Sequence, residues 1–287
     1  MTKAGFKSRR ARINPGINMI EYIIKNRTYI FYFLVVLVII VSSISVIWLP
    51  PEYADATSKP DSLPIVAYLP LFAYIILILL PIIYKKYDKE KFVWGHRFFK
   101  GMYLGFILIT LVFLTELASG LIRIEDVIPG VQSALLGGII LQGFVALGEE
   151  LPFRGYILPE MSKKYGVWNA VFYSSLFFSI LHLPSVATLG LAKENIIIML
   201  LTITIAQILL ALCYLYGGLS MSIGFHFTWN FFQYHVYSLR QDFGGILKIT
   251  PERELITGGT FGPEAGLLGL FVVILALVIV LWWLRSR

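Results

Sequence analysis

Apolar residues fall in long runs separated by short polar connections. A helix needs about 20 apolar residues to cross a ~30 Å hydrocarbon core, and runs of that length are read as membrane spans. About eight are expected, near 29–49, 63–84, 102–121, 131–164, 167–187, 196–216, 219–239 and 266–284. The fourth is long, ~33 residues or ~50 Å, so it must tilt, kink or protrude. Pro152 supplies a kink, because it removes the hydrogen bond to the carbonyl of Gly148. Gly217-Gly218 makes a tight turn, and 240–263 reads as a polar loop. The expectation is an all-α polytopic membrane protein, about eight transmembrane helices around a buried polar cavity, forming a single domain over 1–287.

Composition agrees: 57% of residues are hydrophobic and 14% charged, and mean hydropathy is +0.77. A soluble core cannot hide that much apolar surface behind so few polar residues. The net charge of +7 is not a nucleic-acid signal, since no basic face with aromatic or motif support accompanies it. It clusters at Lys3–Arg12, Lys85–Lys100, Lys163/Lys164 and Arg285/Arg287, as topology signals and contacts with anionic lipid do. Eight spans put all four clusters on one side, so both termini are expected in the cytoplasm. The first apolar run is too long for a signal peptide, whose apolar region is ~7–15 residues. Cys213, the one cysteine, is expected to be a packing residue.

Charge inside these runs is the informative exception. The fourth span holds Gly148-Glu149-Glu150-Leu151-Pro152-Phe153-Arg154. Each ionised group at mid-bilayer costs roughly 2.5–3.5 kcal/mol on insertion scales, so these residues need partners and mark a functional site. Glu150 and Arg154 are four apart and share a helix face, which suits an ion pair. Glu149 points about 100° away and is free for a different role. In the seventh span His226 and Asn230 share a face that Gln233 and Tyr237 extend. In the fifth, His182 stands one turn after Phe178, whose ring can pack on the imidazole. Glu116 is expected to be interfacial or locally paired, His235 incidental and His96 solvated.

Together, Glu149-Glu150-x-x-x-Arg154, Phe178-x-x-x-His182 and His226-x-x-x-Asn230 resemble the motifs of the CAAX protease and bacteriocin-processing (CPBP) family, in the family's order, across about 131–240. The family includes the type II CAAX prenyl endopeptidases. The resemblance implies an intramembrane endopeptidase acting on a prenylated or membrane-inserted peptide. Glu149 would be the general base, with His182 helping to hold and activate water. His226 and Asn230 would stabilise the oxyanion, while Glu150, Arg154 and Phe178 support the site. It also implies a metal-free reaction with no cofactor, although Glu149, His182 and His226 are residue types that can ligate zinc.

Other hydrolytic chemistries fit less well. No His-Glu-x-x-His occurs, no Asp lies in an expected span, and a Gly-x-Ser-Gly nucleophile motif is missing. A small-solute transporter, or a non-catalytic scaffold or bacteriocin-immunity protein, are the alternatives from other classes. Depth is the difficulty: counted from the cytoplasmic helix ends, Glu149 and His182 lie ~10 Å deeper than His226.

Overall fold

The computed structural model describes residues 26–47, 68–128, 132–186, 190–240 and 245–286. The basic residues Lys3 to Arg12, the connection 50–62, Asp242 and Arg287 lie outside the described residues. The helices are α1 (Arg27–Ile47), α2 (Leu69–Tyr87), α3 (Phe98–Ala118), α4 (Gln132–Pro152), α5 (Leu158–Tyr165), α6 (Val167–Ile180), α7 (Lys193–Gly217), α8 (Leu219–Phe231) and α9 (Leu267–Arg285), with shorter turns between them.

Each expected span has a helix, but the count of about eight is not carried by their lengths. Among the described residues, four are long and apolar enough to cross a membrane: α2, α3, the rod Leu135–Tyr165 and α7. Apolar stretches in α1, α6 and α9 are shorter. Large apolar side chains such as Phe33, Ile83, Tyr103, Phe172, Phe271 and Trp282 are exposed on the outer faces. An outer surface of that kind belongs in lipid, and the chain is a mostly helical integral membrane protein. α7 is the most buried of the four and packs against α6, α8 and α9.

Two interruptions explain departures from the expected spans. α6 stops at Ile180, not near 187, because Pro184 has no N–H for the carbonyl of residue 180; a separate helical turn, Leu183–Val186, follows. His182 therefore sits in the turn after α6. The fourth span does run to Tyr165, but Pro152 is followed by a π-helical turn, Phe153–Ile157, before α5 resumes. A second π-turn, Phe232–Val236, follows α8. Turns of this type open where a regular ladder is broken, and often at functional sites.

α3 and α8 make the closest helix pair. Gly101, Gly105 and Gly224 lie where a Cβ would collide with backbone of the other helix: Met221, Phe225 and Phe98 respectively. Small residues spaced four apart, as Gly101 and Gly105 are, let membrane helices approach at backbone distance. The start of α8 is held by the connection before α3: Leu219 and Ser220 N–H donate to the Val93 and Trp94 carbonyls at 2.8 and 2.7 Å.

The fold is not wholly helical. β1 (Ile122–Val127) and β2 (Leu247–Pro251) form an antiparallel ladder pairing Ile122 with Pro251 and Val127 with Leu247, with an irregularity at Glu125. The expected polar loop thus contains a strand, and it continues into a compact segment that closes one wall of the bundle. Asn195 of α7 fixes that segment by donating to the carbonyls of Glu254 (3.0 Å) and Ala265 (2.9 Å). Gly262 within it has φ +95°, a conformation side chains other than hydrogen rarely adopt.

Candidate active site

The helices enclose a cavity of about 460 Å³ with a largely apolar wall, including Leu77, Val145, Leu210 and Val273. Glu149 from α4, His182 from the turn after α6, and His226 and Asn230 from α8 all line it. Phe178 lines it too, whereas Glu150 and Arg154 stand behind the wall. The expected depth mismatch is therefore absorbed, and three separate helical segments deliver their polar groups to one hollow.

Glu150 and Arg154 form the buried base of the site, with side chains 0% and 4% exposed. Arg154 Nη1 donates to Glu150 Oε1 at 3.2 Å. Its Nη2 donates to the Gln207 carbonyl at 3.0 Å and also to the Gln207 side-chain oxygen. The guanidinium lies 5.8 Å from the centre of the Phe178 ring. A buried charge is tolerated only when paired and hydrogen-bonded, and Arg154 has both.

His226 connects this base to the cavity. Its Nδ1 lies 2.9 Å from Glu150 Oε1, and its Nε2 faces Glu149 Oε2 at 3.5 Å. Glu149 also accepts from the Tyr74 hydroxyl at 3.3 Å. Gly148 permits that approach, because a Cβ there would sit 2.7 Å from the Tyr74 ring. His182 is oriented differently: Nδ1 donates to the Phe178 carbonyl at 3.0 Å, and its ring packs 4.7 Å from the Phe178 ring. In the neutral tautomer that donates from Nδ1, Nε2 is the acceptor.

Residues 131–232 match the family model of the Rce1-like type II CAAX prenyl endopeptidases. This segment belongs to the CAAX protease family. Neither a curated protein nor a solved structure matches the chain. All seven motif residues lie in or against the CAAX protease segment, and α2, α7 and the segment after β2 complete the cavity around it.

Several residues at the cavity have no counterpart in the motif reading. Tyr74 gives no signal, since a tyrosine in an apolar run is unremarkable in lipid-facing helices. Gln207 does carry one: a buried amide inside a long apolar helix needs a partner. Glu264 was hidden in the expected loop. It lines the cavity and accepts from Trp229 Nε1 at 3.0 Å and from Gln233 Nε2. Gln233 meets the cavity wall through that bond to Glu264, whereas Tyr237 does not. The π-turn rotates it towards α3, where it stacks on Phe113 and bonds Thr110 at 2.8 Å.

Three other expectations meet mixed outcomes. Glu116 is buried, 1% exposed, two residues before the end of α3. His235 is buried 3.1 Å from Gln142 and is not among the residues lining the cavity. Cys213 is a buried packing residue, as expected. Among the described residues, no group of three or more His, Cys, Asp or Glu side chains is disposed to hold a metal ion.

Proposed function

We propose that this chain is an intramembrane endopeptidase that cleaves near the C-terminus of a prenylated, membrane-inserted peptide. The observation that carries the reading is the shared wall: one carboxylate, two imidazoles and an amide from three segments face one hollow. Glu149 takes a proton from water, which is too weak a nucleophile unaided. His182, accepting through Nε2, helps hold that water. The hydroxide adds to the scissile carbonyl carbon, and Glu149 returns the proton to the leaving amine. Asn230 and the Nε2–H of His226 donate to the oxyanion, each worth about 2.7–4 kcal/mol in comparable sites. At rest His226 Nε2 faces Glu149 at 3.5 Å, so substrate entry turns that donor over to the oxyanion. Glu150 keeps the imidazole in register by accepting from Nδ1.

The same reading has eight passes with both ends at the cytoplasmic face. Supporting it, basic residues of separate connections gather at one end of the bundle. Lys85 and Lys163 meet on Glu90, and Trp283, beside Arg285, packs on Tyr216 next to Arg97.

The test is incubation of the purified full chain in detergent with a farnesylated CAAX peptide, with and without chelator. Release of the C-terminal tripeptide is expected in both, and loss of at least about a thousandfold in Glu149→Gln with folding intact. Wild-type turnover by folded Glu149→Gln sinks the mechanism, and chelator sensitivity sinks its metal-free form.

A further inference from the structure

Glu264, in the stretch after β2, lies outside the segment that matches the family, yet it grips the helix that carries His226 and Asn230. One carboxylate oxygen accepts from Trp229 Nε1 at 3.0 Å and the other from Gln233 Nε2. Trp229 and Gln233 stand three and seven residues after His226, on the face that also holds Asn230. Trp229 belongs to α8 and Gln233 to the π-turn after it, so the two bonds bridge the boundary between them. In that widened turn the regular i→i−4 ladder no longer fixes the phase of the chain. Gln233 is wholly buried and its Oε1 has no partner among the described residues, so its amide is oriented by the bond to Glu264. The carboxylate is steadied from behind. Asn195 of α7 donates to the carbonyl of the next residue, Ala265, at 2.9 Å. Gly262 brings the same backbone close, since a Cβ there would lie 3.2 Å from Gln233 Nε2.

We infer that Glu264 is a positioning residue for the oxyanion donors. By holding Trp229 and Gln233 it sets the rotation of α8, and with it the direction in which His226 and Asn230 present their N–H groups to the cavity. This deepens the peptidase reading and rests on it. Side-chain tips stand ~6 Å from a helix axis, so a rotation of about 10° displaces them by ~1 Å. An error of that size at a reacting centre costs about a hundredfold in rate. Two bonds on one face, one before Asn230 and one after it, resist rotation in either sense. Both donors are neutral N–H groups, so the grip depends on acceptors rather than on charge.

The test compares Glu264→Leu, which removes both acceptors, with Glu264→Gln, whose amide still accepts from Trp229 and pairs with Gln233 once that amide turns over. The readouts are kcat and KM on a farnesylated CAAX peptide, per folded molecule, and the ¹⁵N resonances of the His226 imidazole. The chain has four histidines, so His226→Ala assigns them. The expected result is a fall in kcat of about ten- to a hundredfold in Glu264→Leu with KM kept, and most of the rate retained in Glu264→Gln. An unchanged kcat in folded Glu264→Leu, an equal loss in both variants, or a change confined to KM overturns the inference and leaves the peptidase reading in place. Wild type that cleaves nothing removes the peptidase reading, and the imidazole then decides. Resonances moved by Glu264→Leu and returned by Glu264→Gln keep Glu264 as the residue that orients this face; resonances that stay put overturn it. Should Glu264→Leu fail to fold, Trp229→Phe removes one donor, keeps an apolar ring, and is read in the same way.

Discussion

The imidazole of His226 is hydrogen-bonded through Nδ1 to Glu150, at 2.9 Å, a carboxylate that is itself wholly buried against Arg154. The two adjacent glutamates of the chain's most polar membrane segment therefore work from opposite sides of one ring. Glu149 meets its Nε2 and the cavity; Glu150 meets its Nδ1 and the protein interior.

This division predicts different phenotypes for neighbouring substitutions. Glu150→Ala leaves Arg154 as an uncompensated buried cation and is expected to destabilise the protein by about 3–5 kcal/mol. Glu149→Ala, whose side chain is 17% exposed at the cavity, is expected to change stability far less while abolishing cleavage. Thermal unfolding in detergent, paired with activity per folded molecule, separates them. Equal loss of stability in both variants contradicts the division.

Tyr74 is expected to matter although it lies outside every motif. Tyr74→Phe removes the hydroxyl that donates to Glu149 and keeps the ring, so a loss of about tenfold, ~1.4 kcal/mol, in kcat/KM is expected without a change in melting temperature. Gly148→Ala pushes on the same ring from behind and is expected to lower activity too. In a double-mutant cycle the two effects are non-additive, because both act through the position of Tyr74. Strict additivity counts against it.

At the basic end of the bundle, Glu90 is held below the usual carboxylate range, first by its bond to Lys163 and then by that to Lys85, both at 2.6 Å. Its folded-state pKa is the lower one. The stability it adds is full above the unfolded value of 4.5 and is lost as pH falls from there through the folded value. Glu90 is 35% exposed, so the screened contribution is only ~0.2–1 kcal/mol. The difference in unfolding midpoint between wild type and Glu90→Gln should shrink steadily below about pH 4.5. A difference that grows on acidification is the opposite sign and rejects the account.

What could be read from the residues, and what could not, follows from how each group is satisfied. Glu149, Glu150, Arg154, His182, His226 and Asn230 stand out because charge and imidazole in long apolar runs demand partners, and helical spacing already pairs Glu150 with Arg154. The partners supplied from elsewhere are silent. Tyr74 is an ordinary residue of an apolar helix, and Glu264 and Arg240 look like solvated loop until the segment after β2 folds against α8. The helices themselves are legible from hydropathy, but their interruptions are only partly so. Pro184 marks the end of α6, whereas nothing in Phe232–Val236 announces a π-turn. The β1–β2 ladder is invisible for a related reason: its strands are far apart in the chain, and β1 is mostly exposed.

The widened turn after Pro152 leaves the helix of the two glutamates spliced from two shafts, whereas the one after Phe231 ends the helix of His226 and Asn230. On the near side of that splice Glu149 answers to the hollow; on the far side Lys163 answers to Glu90 of the basic connection. Sequence drift beyond the splice can re-anchor the outer half without swinging the inner one, so the two glutamates are insulated from how their helix is moored.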